Sequence, residues 1–217
     1  MLKPIRWNTF FRDFIRIQIG FILFGLAITL MIRGNIGTSA WVVLEAALAY
    51  KLGITVGTMT VIMGFIVLIS AVAMREKMGW GTLANILSIG PWVDMWNAFM
   101  PSVTDNLPLQ AAMLLLAVLL MGLGSAIYIG VDAGAGPRDS LMLAIKRTTG
   151  VSIRVARAII EVTVVTIGFL LGGPAGLGTL IYALLIGPSV QWGFKIFKVQ
   201  PHKEVEAVQA SIEGGVE

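Results

Sequence analysis

The sequence predicts an all-α integral membrane protein built from two tandem copies of one unit, and three observations predict it. Of 217 residues, 57% are hydrophobic and 13% charged, against roughly 25% charged in a soluble domain. Apolar runs near the roughly 20 residues needed to cross a bilayer recur along the chain. They are too long and too apolar for barrel strands, so helices are the spanning elements that lipid permits here. The third observation is a gapless repeat at a spacing of 97 residues.

The lead, 1–16, alternates Lys3, Arg6, Arg12 and Arg16 with Trp7, Phe10, Phe11 and Phe14, a composition suited to the membrane interface. It lacks a small-residue cleavage site, so the first run, 17–32, is expected to stay as a span. Further spans are expected at 56–74, 79–100, 108–131, 155–171 and 175–194. Two helix-like pieces, 38–51 and 137–149, are about 13 residues long and reach roughly 20 Å at 1.5 Å per residue. Neither crosses a hydrocarbon core of roughly 30 Å. The stretch 199–217, with Pro201, His202 and four glutamates, is expected to be a solvated tail.

A shift of 97 places Gly25 on Gly122, Gly37 on Gly134, Gly53 on Gly150, and Gly79, Gly81, Thr82, Leu83 on Gly176, Gly178, Thr179, Leu180. Gly90-Pro91 falls on Gly187-Pro188. Because the matches concentrate in residues that set backbone geometry, shared apolar composition does not explain them. The units are 24–96 and 121–193, packed into one transmembrane domain over 1–198.

If the short pieces re-enter the membrane, each unit has three spans and the second copy is inverted; if they span, the copies are parallel with four spans each. The inverted 3+3 form puts fourteen Lys and Arg inside and only Arg33 and Lys51 outside, whereas the parallel 4+4 form puts Arg33, Arg75, Lys77 and Arg138 outside. The positive-inside rule and segment length both favour the inverted form, with both termini cytoplasmic.

Several functions are excluded by composition. Zero cysteines remove disulfides, thiolate metal sites and cysteine nucleophiles, and the one histidine lies in the tail. No cofactor, metal or catalytic residue is expected, and the chain is not expected to be an enzyme. The net charge of +4 comes from basic residues flanking apolar runs, which argues against a nucleic-acid partner. No Gly-x-x-x-x-Gly-Lys-Ser/Thr loop occurs, so nucleotide-driven pumping needs a partner. The eleven methionines are scattered, as packing residues are, and Gly168 to Gly172 forms a short helix-contact motif.

Asn35-Ile36-Gly37-Thr38, Gly53-Ile54-Thr55-Val56-Gly57 and Gly79-Trp80-Gly81-Thr82 resemble the YitT/YczE group of bacterial multi-pass membrane proteins. The resemblance covers about 17–195 and is nearer the YczE-like branch, since the soluble C-terminal domain of YitT proteins is absent. It implies a bacterial cytoplasmic-membrane protein and brings no substrate, cofactor or catalytic residue with it.

Two polar, glycine-rich turns precede the short helices, Asn35 to Ser39 in the first copy and Asp132 to Ser140 in the second. Helix starts of this kind present free N–H groups to anions. If both turns reach the membrane interior, they are expected to face each other across a solute cavity, with Asn35, Thr38, Ser39, Asp132, Arg138 and Asp139 as substrate-binding residues and Arg138 on an anionic group. The alternative is that they are caps and turns at the lipid interface.

Glu161 lies in an apolar run, where an acid costs roughly 2.5 to 3.5 kcal/mol against the roughly 3 to 6 kcal/mol returned by its apolar neighbours. With Arg157 and Arg154 it shares one helix face, which reads either as an ion pair tying helices together or as an ion-coupling carboxylate. Glu45 is the second such candidate unless it is solvated at the interface. Asp94 reads as a cap or a substrate contact, and Tyr128 and Asn85 as cavity or helix-contact residues. Trp41, Trp80, Trp92, Trp96 and Trp192 are expected in the interfacial belt.

The function expected is movement of a small anionic or zwitterionic solute by alternating access, possible proton coupling included. Its alternatives are a solute-binding subunit of a larger transporter and a scaffold without a ligand. Expected partners are the lipid bilayer, the solute, and a second copy or another membrane protein.

Overall fold

In the computed structural model, residues 5–75, 79–134 and 136–199 are described, with the backbone alone for 153 and 154. The tail beyond 199 and Lys77 lie outside the described residues. Eight helices make up the regular structure there: α1 Phe10–Gly34, α2 Ala40–Leu52, α3 Val56–Ala73, α4 Trp80–Phe99, α5 Leu107–Ile129, α6 Pro137–Thr149, α7 Ile153–Leu170 and α8 Leu177–Ile196. No strand occurs among the described residues.

Both ends of α2, α3 and α4 fall on those of α6, α7 and α8 after the 97-residue shift. The same local chemistry sets them. Thr55 and Ser152 cap α3 and α7 by accepting from the N–H of Thr58 and Val155 at 3.1 and 3.3 Å. Thr82 and Thr179 reach back to the N–H of Gly79 and Gly176 at 3.3 and 3.2 Å. Asn35 and Asp132 turn the chain in the left-handed region, at φ 54° and 56°.

Four helices, α1, α3, α5 and α8, are long and apolar enough to cross a membrane among the described residues. The chain is a membrane protein with several apolar helices. Sequence reading expected six spans. The other two, α4 and α7, are 20 and 18 residues long but carry Asn85, Asp94 and Asn97, and Arg154, Arg157 and Glu161. Their polar side chains set them apart.

α1 is the centre of the fold, with Ile17, Phe21, Ala27 and Met31 buried against α4 and α5. Between helices in lipid, close packing stabilises where water exclusion cannot, so small residues mark the crossings. α1 and α5 cross where a Cβ on Gly20 would come 3.0 Å from the Gly124 carbonyl oxygen. Further along α1, Gly34 lies against Gln110 and Met113, earlier in α5 than Gly124, so the two helices run antiparallel. α1 and α4 run parallel: Trp80 packs on Phe10 and Phe14 at one end, and Arg33 donates to Ser102 at 2.9 Å and to the Asn97 carbonyl at the other.

Each polar turn docks on the other copy. The Gly178 N–H donates to the Ile36 carbonyl at 2.8 Å, and the Gly81 N–H to the Ala133 carbonyl at 2.9 Å. Gly37 and Gly134, at φ 128° and 121°, leave no room for a Cβ, which would meet the Thr179 nitrogen at 2.6 Å and the Gly79 Cα at 2.7 Å. The turns were expected to face each other; instead each is seated on the start of the fourth helix of the opposite unit.

Candidate functional site

The short helices α2 and α6 bring the polar residues of the interior together. Trp41 and Arg138 are equivalent in the repeat, and they stack on each other, with the guanidinium carbon 4.8 Å from the indole centroid. One turn beyond Trp41, on the same face of α2, Glu45 is fully buried and paired with Arg138. Thr60 of α3 donates its hydroxyl to the same carboxylate at 2.8 Å. A buried carboxylate costs several kcal/mol unless its charge is matched and its lone pairs are filled, and α2, α3 and α6 each contribute to doing so here. Glu45 is therefore an interior group, not a solvated interfacial one.

Asp139 follows Arg138 in the first turn of α6, where the helix dipole favours an acid. It is within electrostatic reach of both Arg138 and Arg157, yet makes no hydrogen bond or ion pair of its own among the described residues. Around Gly136, a Cβ would lie 3.3 Å from the Asp139 Oδ2, 3.4 Å from the Tyr128 hydroxyl and 3.9 Å from the Asn85 amide. Tyr128 donates to the Gly134 carbonyl at 3.0 Å, and the buried Ser140 hydroxyl has no partner among the described residues.

From α7, Arg157 donates to Glu161 at 2.8 Å. This pair lies within one helix and leaves both side chains part-exposed, so it does not tie two helices together as one sequence reading had it. Tyr182 of α8, the repeat counterpart of Asn85, is within reach of Arg157, Arg138 and Glu161. Two arginines thus stand against three carboxylates, and Asp139 is the one without a direct partner.

The structure brings Glu45, Arg138, Asp139, Arg157 and Glu161 into this cluster. It places Asn35 and Asp132 on exposed turns, and Thr38 and Ser39 in the buried turn against α8, where the Thr38 N–H donates to Thr179 at 3.2 Å. The side chain of Arg154 lies outside the described residues. Asp94 is a fastener between helices, accepting from Thr55 at 2.6 Å and from the Gly57 N–H at 2.9 Å. Sequence reading missed Trp41, Thr60, Ser140 and Tyr182. The repeat carried the missing signal: the same shift places Trp41 on Arg138, Thr60 on Arg157 and Asn85 on Tyr182, so matching positions of the two units were available to be compared.

Residues 11–195, spanning all eight helices to within a residue at either end, match the model of a family of unknown function, DUF6198. The chain belongs to the DUF6198 family. Relatives include an uncharacterized protein of Haemophilus influenzae, 32% identical over 189 residues, or 85% of this chain and 86% of that one. The uncharacterized membrane protein YczE of Bacillus subtilis is 31% identical over 84% of this chain and 82% of its own, in agreement with the resemblance read from the glycine motifs. The uncharacterized protein YyaS of the same organism is 31% identical over 78% of this chain and 86% of its own. No solved structure matches. The polar cluster of this DUF6198 protein lies wholly inside the matched residues.

Proposed function

We propose that this protein moves a small zwitterionic or anionic solute across the bacterial cytoplasmic membrane by alternating access, and binds it at the junction of α2 and α6. The observation that carries this reading is the ion pair of the fully buried Glu45 with Arg138, between two helices too short to cross lipid. Charged groups at membrane depth are costly and mark solute or ion pathways, and paired broken segments are where inverted-repeat transporters hold their substrates. Arg138 and Arg157 supply positive charge for a carboxylate or similar group. Asp139 supplies negative charge for an ammonium or a coupling proton. The turns whose free N–H groups are expected from sequence to attract the anion anchor α4 and α8 instead, through the Ile36 and Ala133 carbonyls.

The antiparallel α1 and α5 support the inverted 3+3 arrangement in one domain of two units, with α4 and α7 as its remaining spans. So do the contacts of the helix ends. Arg33 reaches Ser102, and the Arg147 side chain donates to the Arg75 carbonyl at 3.2 Å, which joins ends that the inverted form puts on a common side. The parallel form would separate the first pair by the bilayer. A ligand-free scaffold would have every interior polar group matched; Asp139 and Ser140 weigh against it.

The test is the melting point of the detergent-purified protein against amino acids, carboxylates, phosphates, amines and sugars. A ligand at 100 times its Kd adds roughly 2.7 kcal/mol of stability. A selective rise, lost in Arg138→Ala and weakened in Glu161→Gln, is expected. Silence over the whole set from folded protein overturns the proposal.

A further inference from the structure

The two copies differ most where their third and fourth helices meet. In the first copy, α3 and α4 touch backbone to backbone: a Cβ on Gly57 would overlap the Gly90 carbonyl, and one on Gly64 would press on Ile86 at 3.0 Å. Asp94 then fastens α4 to the start of α3 through Thr55 and Gly57. The repeat counterparts of Gly57, Gly64 and Asp94 are Arg154, Glu161 and Gln191. Both α3 glycines of the crossing have become charged and the fastening carboxylate has become an amide. Helices approach this closely only over glycine or other small residues. Accordingly α7 packs on α2 and α6, α8 packs on α5, and α7 and α8 have no comparable packing among the described residues. Gly187, the counterpart of the jammed Gly90, has nothing within 4 Å of a Cβ.

We infer that α7 and α8 form the gate through which solute reaches the Arg138–Arg157 cluster, while α3 and α4 form the sealed side. Arg157 and Glu161 of α7 and Tyr182 of α8 are within electrostatic reach of one another, so an opening between these helices leads to the charged groups. The glycine crossing keeps the first side closed, and on the second side Glu161, where the first has Gly64, prevents the same close approach. Its role rests on the transport reading; its geometry does not.

The chain has no cysteine, so spin labels can be placed at will. Ile62 and Leu87 are 41% and 55% exposed, and their counterparts Ile159 and Leu184 are 55% and 75% exposed, so labels at these four positions leave the packing intact. Pulsed dipolar spectroscopy on the full chain in nanodiscs should give a narrow distance for the 62/87 pair. The 159/184 pair should be longer by about 5 Å or more, since packed helix axes lie only roughly 8 to 10 Å apart. Replacing Arg154→Gly, Glu161→Gly and Gln191→Asp together should contract the 159/184 distance towards the 62/87 value, with the 62/87 pair reporting that the fold survives. It should also slow modification of Tyr182→Cys by a charged thiol reagent about tenfold, as closing an access route by roughly 1.4 kcal/mol would.

Equal distances in the unaltered background overturn the inference whether or not the triple variant folds. So does a triple variant whose distance and reactivity do not change. A Leu184→Cys label alone that gives a short distance between two copies also overturns it, because the parting is then an interface. If the distances stand but no solute stabilises the protein, the transport reading fails and the asymmetry remains.

Discussion

Glu45 and Arg138 form the pair on which the interior depends, and their burial is unequal: the Glu45 side chain is wholly buried and that of Arg138 is 35% exposed. Removing one partner of a buried pair costs about 3 to 5 kcal/mol because the other charge is left behind. Arg138→Met should therefore cost about 3 kcal/mol, the low end of that range since Arg138 is only part-buried. Glu45→Gln should cost less, because the exposed guanidinium can rehydrate, and the double variant should lose less than the sum. Denaturant unfolding in detergent across the four proteins measures this, and additive losses would show that the pair is not coupled. From sequence, Glu161 stood out because charges are rare in apolar runs, and Arg138 and Asp139 because they belong to a polar, glycine-rich turn at a helix start. The pairing of Glu45 with Arg138 did not, because the partners are 93 residues apart and nothing local marks one as facing the other. Trp41 was assigned to the interfacial belt for the same reason. An aromatic ring near the end of a run looks alike whether it meets lipid headgroups or a guanidinium.

Helix boundaries were the most legible feature, except at the start of α1, which begins at Phe10 within the basic and aromatic lead and not at 17; Thr55, Thr82, Ser152 and Thr179 act locally and act alike in both copies. How the helices pair was not legible, because packing in lipid depends on which glycines meet, and that is a property of two segments at once. Gly90 and Gly187 are indistinguishable in sequence context, each followed by proline, yet one is jammed against Gly57 and the other is open. Gly90→Ala should destabilise by about 1 to 3 kcal/mol through overpacking. Gly187→Ala should be neutral or add up to about 1 kcal/mol, as alanine replaces glycine inside an unobstructed helix. Melting points of the two variants compare them directly, and similar losses at both sites would contradict the asymmetry of the two helix pairs.

At the level of the whole molecule, the repeat was visible as a fixed spacing of glycine and proline, but its orientation rested on a charge count. The inverted arrangement places Lys51 outside and Arg75 inside, and the parallel one does the reverse. In intact cells, Lys51→Cys should react with a membrane-impermeant thiol reagent and Arg75→Cys should react only after the membrane is opened; the opposite pattern would establish parallel copies. Function was the least legible, because a cluster assembled from five helices has no linear motif. The account stands or falls on transport through that cluster. Proteoliposomes holding the purified protein should take up the compound that raises its melting point, saturably, and Arg138→Ala should abolish that uptake. Uptake no faster than in protein-free liposomes, from protein that still binds the compound, would contradict transport and leave a membrane protein that binds the solute without moving it.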